Sequence, residues 1–239
     1  MVPVTVSSEH QEQMASRGYT IFESVFSIAE MKQLDANLAE FEAGLQREGL
    51  DTREVVFTQK IAERDENIRA FAQREEFVAL STAFLGPNTD LYYNQKVYKN
   101  PSGTKSFCWH QDDAYGPVEP SPYLTLWIAI TDATPENGRI SVLPGSHHQG
   151  LVPHRDGDFG LECHSLDDPD QGVIVPVPVG SVICFWSQLM HKSGPNLTDD
   201  VRKAIVLQFS PEGLRHKASG MAIRPKVAIA RNGFAACRT

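Results

Sequence analysis

The sequence predicts a mainly β domain, a sandwich or barrel with a helical support layer on its amino-terminal side. Two observations lead to this prediction: apolar residues follow a helical period in the first third of the 239 residues, and beyond Asp90 the period becomes two. Short apolar segments are then separated by Gly, Pro, Asn and Asp clusters. A jelly roll packed against amino-terminal helices combines these features. We expect one domain, with helical support over about 1–90, a jelly-roll core over about 91–210 and a carboxy-terminal tail over 211–239.

The amino-terminal part predicts a short strand followed by a helix. The strand lies in the segment RGYTIFESVF, and Ser27 with Glu30 three residues later forms a capping box before the helix. Gly49 predicts the end of this helix. Its apolar stripe recurs at steps of three and four: Ile28, Met31, Leu34, Leu38, Phe41 and Leu45.

A second helix is predicted over roughly 67–85, ending at the Gly86-Pro87 pair. Its apolar positions are Ile68, Phe71, Phe77, Leu80 and Phe84.

The strand segments beyond Asp90 have two different faces. They are LYYNQKVYKN, YLTLWIAIT, GSVICFWS and RKAIVLQFS. In the second, Leu124, Leu126 and Ile128 alternate with Thr125 and Trp127. The last alternates in the same way, with Ile205, Leu207 and Phe209 on one face and Arg202, Ala204, Val206 and Gln208 on the other. Because strand side chains alternate, we expect the aliphatic faces to pack on the helices and the mixed faces to line a cavity.

Composition limits the kinds of partner. The net charge is −8 and no block of basic residues is present, which argues against nucleic acid or an anionic membrane and favours a small-molecule partner. No secretory signal or membrane-spanning run is visible in the sequence. The four cysteines lie far apart, which is typical of reduced thiols in a cytoplasm.

The segment SFCWHQDDAYGP contains two candidate metal ligands. Positions i and i+2 of an extended chain face the same way, so His110 and Asp112 can reach one ion. A pair of this kind is common by chance, and His191, at the end of an apolar strand, supplies a third candidate. Two histidines and one carboxylate suit non-haem Fe(II) oxygenases, while zinc with a bound water is an alternative.

Arg202 begins the next strand on its mixed face. An arginine directed into a barrel is costly without an anion, and a dicarboxylate co-substrate would supply one through a bidentate contact. The alternative is a surface arginine paired with Asp199 or Asp200.

These motifs together resemble the phytanoyl-CoA dioxygenase family of Fe(II)- and 2-oxoglutarate-dependent oxygenases. The resemblance rests on WHQD, LWIAITDATPENGRISVLPGSHHQG, HKSGPN followed by Arg202, and the opening SRGYTIFESVFSIAEMKQLDANL, and it covers about 18–210. It implies a double-stranded β-helix of the cupin-like type. It also implies that His110, Asp112 and His191 bind Fe(II), and that O₂ and 2-oxoglutarate are co-substrates.

The resemblance further implies how 2-oxoglutarate is held. Arg202 would bind its distal carboxylate with Ser193 as a helper, and Gln95 would offer an amide. Thr125 and Trp127, which share the cavity face, would form part of the same wall.

The reaction implied is hydroxylation of an unactivated C–H bond, with release of succinate and CO₂. We expect a small metabolite or natural-product intermediate, since no cationic groove for coenzyme A phosphates is visible. The long loop Gly150–Gly172 is either a lid over the substrate or an insertion. Two alternatives are a cupin-like metalloenzyme that does not use 2-oxoglutarate and a non-catalytic jelly-roll binding module. The candidate substrate contacts form a polar and aromatic set: Tyr98, Gln111, Asp113, Tyr115, Arg139 and Trp186.

Overall fold

The computed structural model describes residues 4–47, 57–101, 106–158, 160–163 and 171–236. The helices are α1 (Ser8–Arg17), α2 (Ile28–Arg47), α3 (Glu66–Ala72) and α4 (Glu75–Leu85). The strands are β1 (Tyr19–Phe22), β2 (Phe57–Gln59), β3 (Thr89–Lys99), β4 (Phe107–His110), β5 (Val118–Glu119), β6 (Leu124–Ala129), β7 (Ile140–Val142), β8 (His154–Gly157), β9 (Gly160–Cys163), β10 (Val173–Val175), β11 (Val182–Trp186), β12 (His191–Ser193), β13 (Arg202–Pro211), β14 (Arg215–His216), β15 (Val227–Arg231) and β16 (Phe234–Ala235).

Two antiparallel sheets form the body of the molecule. The larger has the order β1-β11-β6-β13-β3-β15-β16, with β2 also paired to β3. The smaller has the order β10-β7-β12-β4. Trp127, Val206 and Phe185 of the larger sheet share one buried apolar cluster with Ile140 and Val142 of the smaller. The predicted jelly roll is therefore confirmed.

The other face of the larger sheet packs on the helices. Leu126 and Leu207 are fully buried and share a core with Leu38 of α2 and Phe77 of α4. Lys203, on the same face, donates from Nζ to Asp35 Oδ2 at 2.6 Å. The division of each strand into a helix-facing side and a cavity-facing side is confirmed. None of the helices among the described residues is long and apolar enough to span a membrane.

The capping box at the start of α2 is confirmed. The Ser27 N–H donates to Glu30 Oε2 at 2.8 Å, and the Glu30 N–H donates to Ser27 Oγ at 3.3 Å. The predicted stop at Gly49 lies outside the described residues.

This cap predicts an acid-sensitive element of stability. Hydrogen bonds from Ser27, then from Arg74, lower the pKa of Glu30 to about 2 against burial, which opposes them. A carboxyl whose pKa is depressed on folding contributes stability above its unfolded pKa and loses it as the pH falls towards its folded pKa. We therefore expect the urea midpoint of the wild type to fall more steeply than that of Glu30→Gln between about pH 4.5 and 2. Glu40→Gln, at an exposed position of the same helix, should retain the wild-type slope, and equal slopes for all three proteins would contradict the assignment.

The helix predicted over 67–85 is instead two helices, α3 and α4. The break lies at Gln73 and Arg74, where Arg74 adopts extended backbone angles. Its guanidinium forms ion pairs of 2.7 Å with both Glu30 and Glu76 and lies 4.8 Å above the Phe26 ring. The ion pair with Glu30 of α2 accompanies this break and joins residues far apart in sequence, so periodicity alone could not predict it.

Two further elements differ from expectation. Residues 8–17, ahead of the predicted first strand, form a further helix, α1, capped by Ser7, whose Oγ accepts from the His10 N–H at 3.3 Å. Met14 is the buried residue of α1. The helix therefore adds little to the apolar core, and its sequence shows only a weak helical period of apolar residues. The segment predicted as a tail provides β15, which pairs with β3 in the larger sheet.

Candidate metal centre and active site

Three potential metal ligands converge between the two sheets. His110 ends β4 and lies opposite His191, the first residue of β12. Asp112 lies two residues after His110, at the start of a short 3₁₀ helix. Its Oδ1 lies 3.9 Å from His110 Nε2 and 3.6 Å from His191 Nε2. The ligand atoms all lie within 4.8 Å of one another, close enough to bind one ion.

Backbone carbonyls set the orientation of both imidazoles. His110 Nδ1 lies 2.8 Å from the Cys108 carbonyl oxygen, and His191 Nδ1 lies 3.0 Å from that of Leu189. Because a carbonyl only accepts, each Nδ1 carries the proton and donates. Each Nε2, the nitrogen nearer to Asp112 Oδ1, is therefore the one left to bind a metal, the arrangement that a metal-binding histidine requires.

The surroundings keep His110 neutral. Burial lowers the pKa of His110 to about 4, and the adjacent His191 adds to this effect, while Asp112 opposes it. A neutral imidazole is the form that binds a metal.

Arg202 is buried in the wall of the same cavity. Only 1% of the residue is exposed, and its Nε and Nη1 have no hydrogen-bond partner among the described residues. Its guanidinium carbon lies 5.3 Å from the centre of the Trp127 ring, and burial lowers the pKa of Arg202 to about 9. A surface arginine paired with Asp199 or Asp200 is therefore excluded as an interpretation. A buried guanidinium with unused donors is suited to an anionic ligand.

The cavity has a volume of about 630 Å³ and extends from Arg202 past the three ligands to the surface. Gln95, Thr125, Trp127 and Ser193, which the sequence assigned to the co-substrate, all line it. The lining residues that are at least partly exposed to solvent include an amide and several aromatic rings: Phe57, Gln59, Tyr92, Tyr93, Phe107 and Tyr115.

Tyr98 and Trp186 do not contact the cavity, which corrects the sequence-based expectation. The Tyr98 hydroxyl donates to Asp35 Oδ1 on α2 at 3.0 Å, and Trp186 Nε1 donates to the Met14 carbonyl of α1 at 3.1 Å. Tyr98 lies three residues after the cavity-lining Gln95. Residues an odd number of positions apart on a strand face opposite ways, so Tyr98 faces the helices.

Gln111 is likewise structural rather than a substrate contact. It is fully buried, and its amide donates to the carbonyls of Gly150 and Gln188 at 2.8 and 2.7 Å. Its Oε1 accepts from the Val152 N–H at 2.9 Å. Gln111 thus anchors the turn between His110 and Asp112 to a neighbouring loop.

Asp113 and Arg139 also lie outside the cavity lining. Asp113 is 2% exposed, and its Oδ2 accepts from Ser121 Oγ at 2.8 Å and Gln188 Nε2 at 2.9 Å. Arg139 Nη1 donates to the Pro135 carbonyl at 2.8 Å.

Tyr115 lines the cavity as expected and also contacts the loop predicted as a lid or an insertion. Part of that loop is the hairpin β8–β9, and Tyr115 Oη accepts from the Leu161 N–H at 3.0 Å. Gly160, at φ +115°, leaves room for this contact, because a Cβ there would lie 2.3 Å from Tyr115 Oη. Residues 164–170 of the loop lie outside the described residues.

Sequence reasoning missed Tyr92 and Tyr93 as lining residues, and it placed Gln208 on the cavity face without giving it a role. Tyr92 and Tyr93 both line the cavity although neighbours on a regular strand face opposite ways; the β3–β13 register shifts between Gln208 and Phe209, next to them. Gln208 had a usable signal, since it shares the mixed face of β13 with Arg202. The sequence does not indicate that both tyrosines face the cavity, because the alternation of residue types along a strand does not reveal a shift in strand register.

The fold and the ligand set define a jelly-roll metalloprotein with a two-histidine, one-carboxylate centre, the arrangement of non-haem iron oxygenases. A sequence model of the phytanoyl-CoA dioxygenase family matches residues 14–204. The chain belongs to this family of iron- and 2-oxoglutarate-dependent oxygenases.

Individual proteins support this placement. The chain is 30% identical to a probable alpha-ketoglutarate-dependent hypophosphite dioxygenase of Stutzerimonas stutzeri, over 85% of this chain and 78% of the relative. It is 28% identical to human peroxisomal phytanoyl-CoA dioxygenase, over 62% of this chain and 47% of that protein. The structure resembles that of SnoK, a non-haem alpha-ketoglutarate-dependent carbocyclase from nogalamycin biosynthesis, with a TM-score of 0.75 and 23% identity, covering 95% of this chain and 98% of SnoK. This last similarity concerns the fold.

Proposed function

We propose that the protein is an Fe(II)- and 2-oxoglutarate-dependent dioxygenase that hydroxylates an unactivated C–H bond of a small metabolite or natural-product intermediate. Succinate and CO₂ would be the co-products. The observation that carries this proposal is the buried Arg202, whose Nε and Nη1 lack partners among the described residues, in the same cavity as His110, Asp112 and His191. A metal centre and an anion-binding arginine in one cavity are what a metal-chelated dicarboxylate requires.

Each part of this site has a role that follows from its chemistry. His110, Asp112 and His191 would hold iron through Nε2, Oδ1 and Nε2. Iron with 2-oxoglutarate and O₂, when bound, supplies the oxidising power for C–H oxidation. Arg202 would fix the distal carboxylate of 2-oxoglutarate through paired N–H donors, and Ser193 of β12, which lines the same cavity, would help.

Gln95 would assist in holding the co-substrate. Its Oε1 accepts a hydrogen bond from the Tyr93 hydroxyl at 3.1 Å. The NH₂ group of the amide is therefore the part left to donate to a carboxylate. Trp127 packs beside Arg202, with its ring centre 5.3 Å from the guanidinium carbon, and both residues are buried.

The lining of the cavity supports a carbon-based substrate larger than the hypophosphite named for the relative. A cavity of about 630 Å³ lies within the range of roughly 300–1,000 Å³ that is typical of pockets for drug-sized molecules. Phe57, Phe107 and the lining tyrosines offer aromatic faces, and Gln59 and the tyrosine hydroxyls offer neutral hydrogen-bonding groups. The same protein fold occurs in SnoK, named as a carbocyclase, so hydroxylation is the outcome to be tested.

Anaerobic titration with Fe(II) and 2-oxoglutarate, followed by admission of O₂, tests the proposal. We expect 2-oxoglutarate to bind only after the metal, and succinate to form with O₂ uptake. A cupin-like enzyme that does not use 2-oxoglutarate would consume O₂ without forming succinate. A binding module would neither consume O₂ nor form succinate. Addition of a metabolite panel, with hypophosphite as the comparison, should then couple succinate release to a hydroxylated carbon product. Stimulation by hypophosphite alone would contradict the proposed substrate class.

Three narrower expectations stay predictions: a cytoplasmic location, a partner set without nucleic acid, and the organisation of the chain as one domain. Cys108, Cys163 and Cys184 are free thiols in the structure.

A further inference from the structure

The two oxygens of the Asp112 carboxylate have different surroundings. Oδ1 faces the two histidine Nε2 atoms, at 3.9 and 3.6 Å. Oδ2 accepts two hydrogen bonds, one from Thr125 Oγ1 at 2.7 Å and one from Gln208 Nε2 at 3.0 Å. One oxygen is thus directed to the metal position and the other is fully engaged by protein donors.

Both donors lie on the cavity-facing side of the larger sheet. Thr125 on β6 and Gln208 on β13 lie directly opposite each other in the strand register, and they are 1% and 6% exposed. Directly opposed residues bring their side chains together on one face. The sheet therefore presents a pair of buried donors to a carboxylate that lies on the 3₁₀ helix after β4.

We propose that Thr125 and Gln208 are positioning residues that hold Asp112 as a ligand through Oδ1 alone. This assignment changes the role of Thr125, which the sequence placed only in the wall around the co-substrate, and it adds Gln208. It rests on the proposed metal site and concerns its assembly, not the identity of the substrate.

The physical reason lies in the freedom of the aspartate side chain. Asp112 begins a 3₁₀ turn after an extended residue, and its carboxylate could rotate to offer both oxygens to an ion. Two hydrogen bonds to Oδ2 prevent that rotation and spread the negative charge away from Oδ1. A one-oxygen aspartate leaves a coordination position available that a two-oxygen aspartate would occupy, and 2-oxoglutarate and O₂ need the available positions.

The test measures metal binding without 2-oxoglutarate or turnover. Purified full-length apo-protein is titrated with Co(II), and visible absorption reports both affinity and coordination number. Thr125→Val and Gln208→Met each remove one donor with little change in shape, and Thr125→Ser restores the hydroxyl. Thr20→Val is the matched control, because Thr20 is also 1% exposed and donates to Gln13 Oε1 at 2.6 Å in another part of the fold.

We expect the Thr125→Val/Gln208→Met double variant to lose about 10–100-fold in Co(II) affinity, the usual effect of removing groups that orient metal ligands. Its Co(II) spectrum should shift to a higher coordination number, whereas Thr125→Ser and Thr20→Val should bind and absorb like the wild type. Circular dichroism establishes that each variant is folded; if the double variant is not, the two single variants carry the test. A folded double variant, or folded single variants, with wild-type affinity and spectrum would overturn the proposal. Failure of the proposed function is distinguishable, since it would appear as wild-type protein that binds Co(II) but not 2-oxoglutarate.

Discussion

Replacing His191 with alanine is expected to abolish metal-dependent turnover. His191 is 7% exposed and its Nδ1 is engaged by the Leu189 carbonyl, and among the described residues His110 is the one other histidine that lines the cavity. Loss of bound iron removes several kcal/mol of transition-state stabilisation, which corresponds to a fall of roughly 10³-fold or more in kcat/KM. The measurement is succinate formation at saturating Fe(II), together with metal content after desalting.

His148→Ala is the matched control for this substitution. His148 is exposed on the surface and stacks on His147, outside the cavity, so its removal should leave metal content and turnover unchanged. Retention of stoichiometric iron by His191→Ala would contradict the assignment of this residue as a ligand.

Arg202→Ala is expected to produce the second large effect, on 2-oxoglutarate rather than on iron. Truncating one partner of a buried, hydrogen-bonded charge pair costs about 2–5 kcal/mol. At 1.4 kcal/mol per tenfold change, the Kd of 2-oxoglutarate should rise roughly 30-fold to several thousand-fold. Metal affinity should change little, because Arg202 is not a ligand. Anaerobic titration of the Fe(II) protein with 2-oxoglutarate, followed by its visible absorption, measures this Kd.

Two further variants make the Arg202 experiment specific. Arg202→Lys keeps the charge but loses the planar pair of donors, so its Kd should lie between those of the wild type and the alanine variant. Arg17→Ala removes an exposed arginine at the end of α1 and should bind 2-oxoglutarate like the wild type. An unchanged Kd in Arg202→Ala would contradict the proposed role of this residue.

The helices and strands that could be predicted are those whose residues form a clear pattern over a short stretch of the chain. The Ser27–Glu30 cap and the alternating faces of β6 and β13 depend on residues near one another in the chain, and both were confirmed. The bend between α3 and α4 depends on the ion pairs that Arg74 forms with Glu30 and Glu76. The pair with Glu30 links residues far apart in sequence, so it cannot be predicted from the pattern of neighbouring residues.

The same distinction applies to the candidate site. His110 and Asp112 are two residues apart, so their spacing and the motif resemblance could indicate a metal site. Strand alternation places Arg202 on the cavity face, so its direction could be predicted as well. Tyr98 and Trp186 differ from expectation because strand alternation, rather than aromatic residue type, decides which side of the sheet they face: Gln95 and Phe185 of the same strands line the cavity. Their hydroxyl and indole N–H are used by the helices instead.

The sequence by itself therefore determined the jelly roll with helical support, the family, and the residues that converge on the metal position, because periodicity and short motifs carry that information. Only the tertiary structure decided which oxygen of Asp112 faces the metal position, since Thr125 and Gln208 reach it from separate strands. It also decided that the Arg202 guanidinium is buried with donors to spare. Burial and hydrogen-bond completion depend on which distant segments meet, and that is settled by packing of the whole chain.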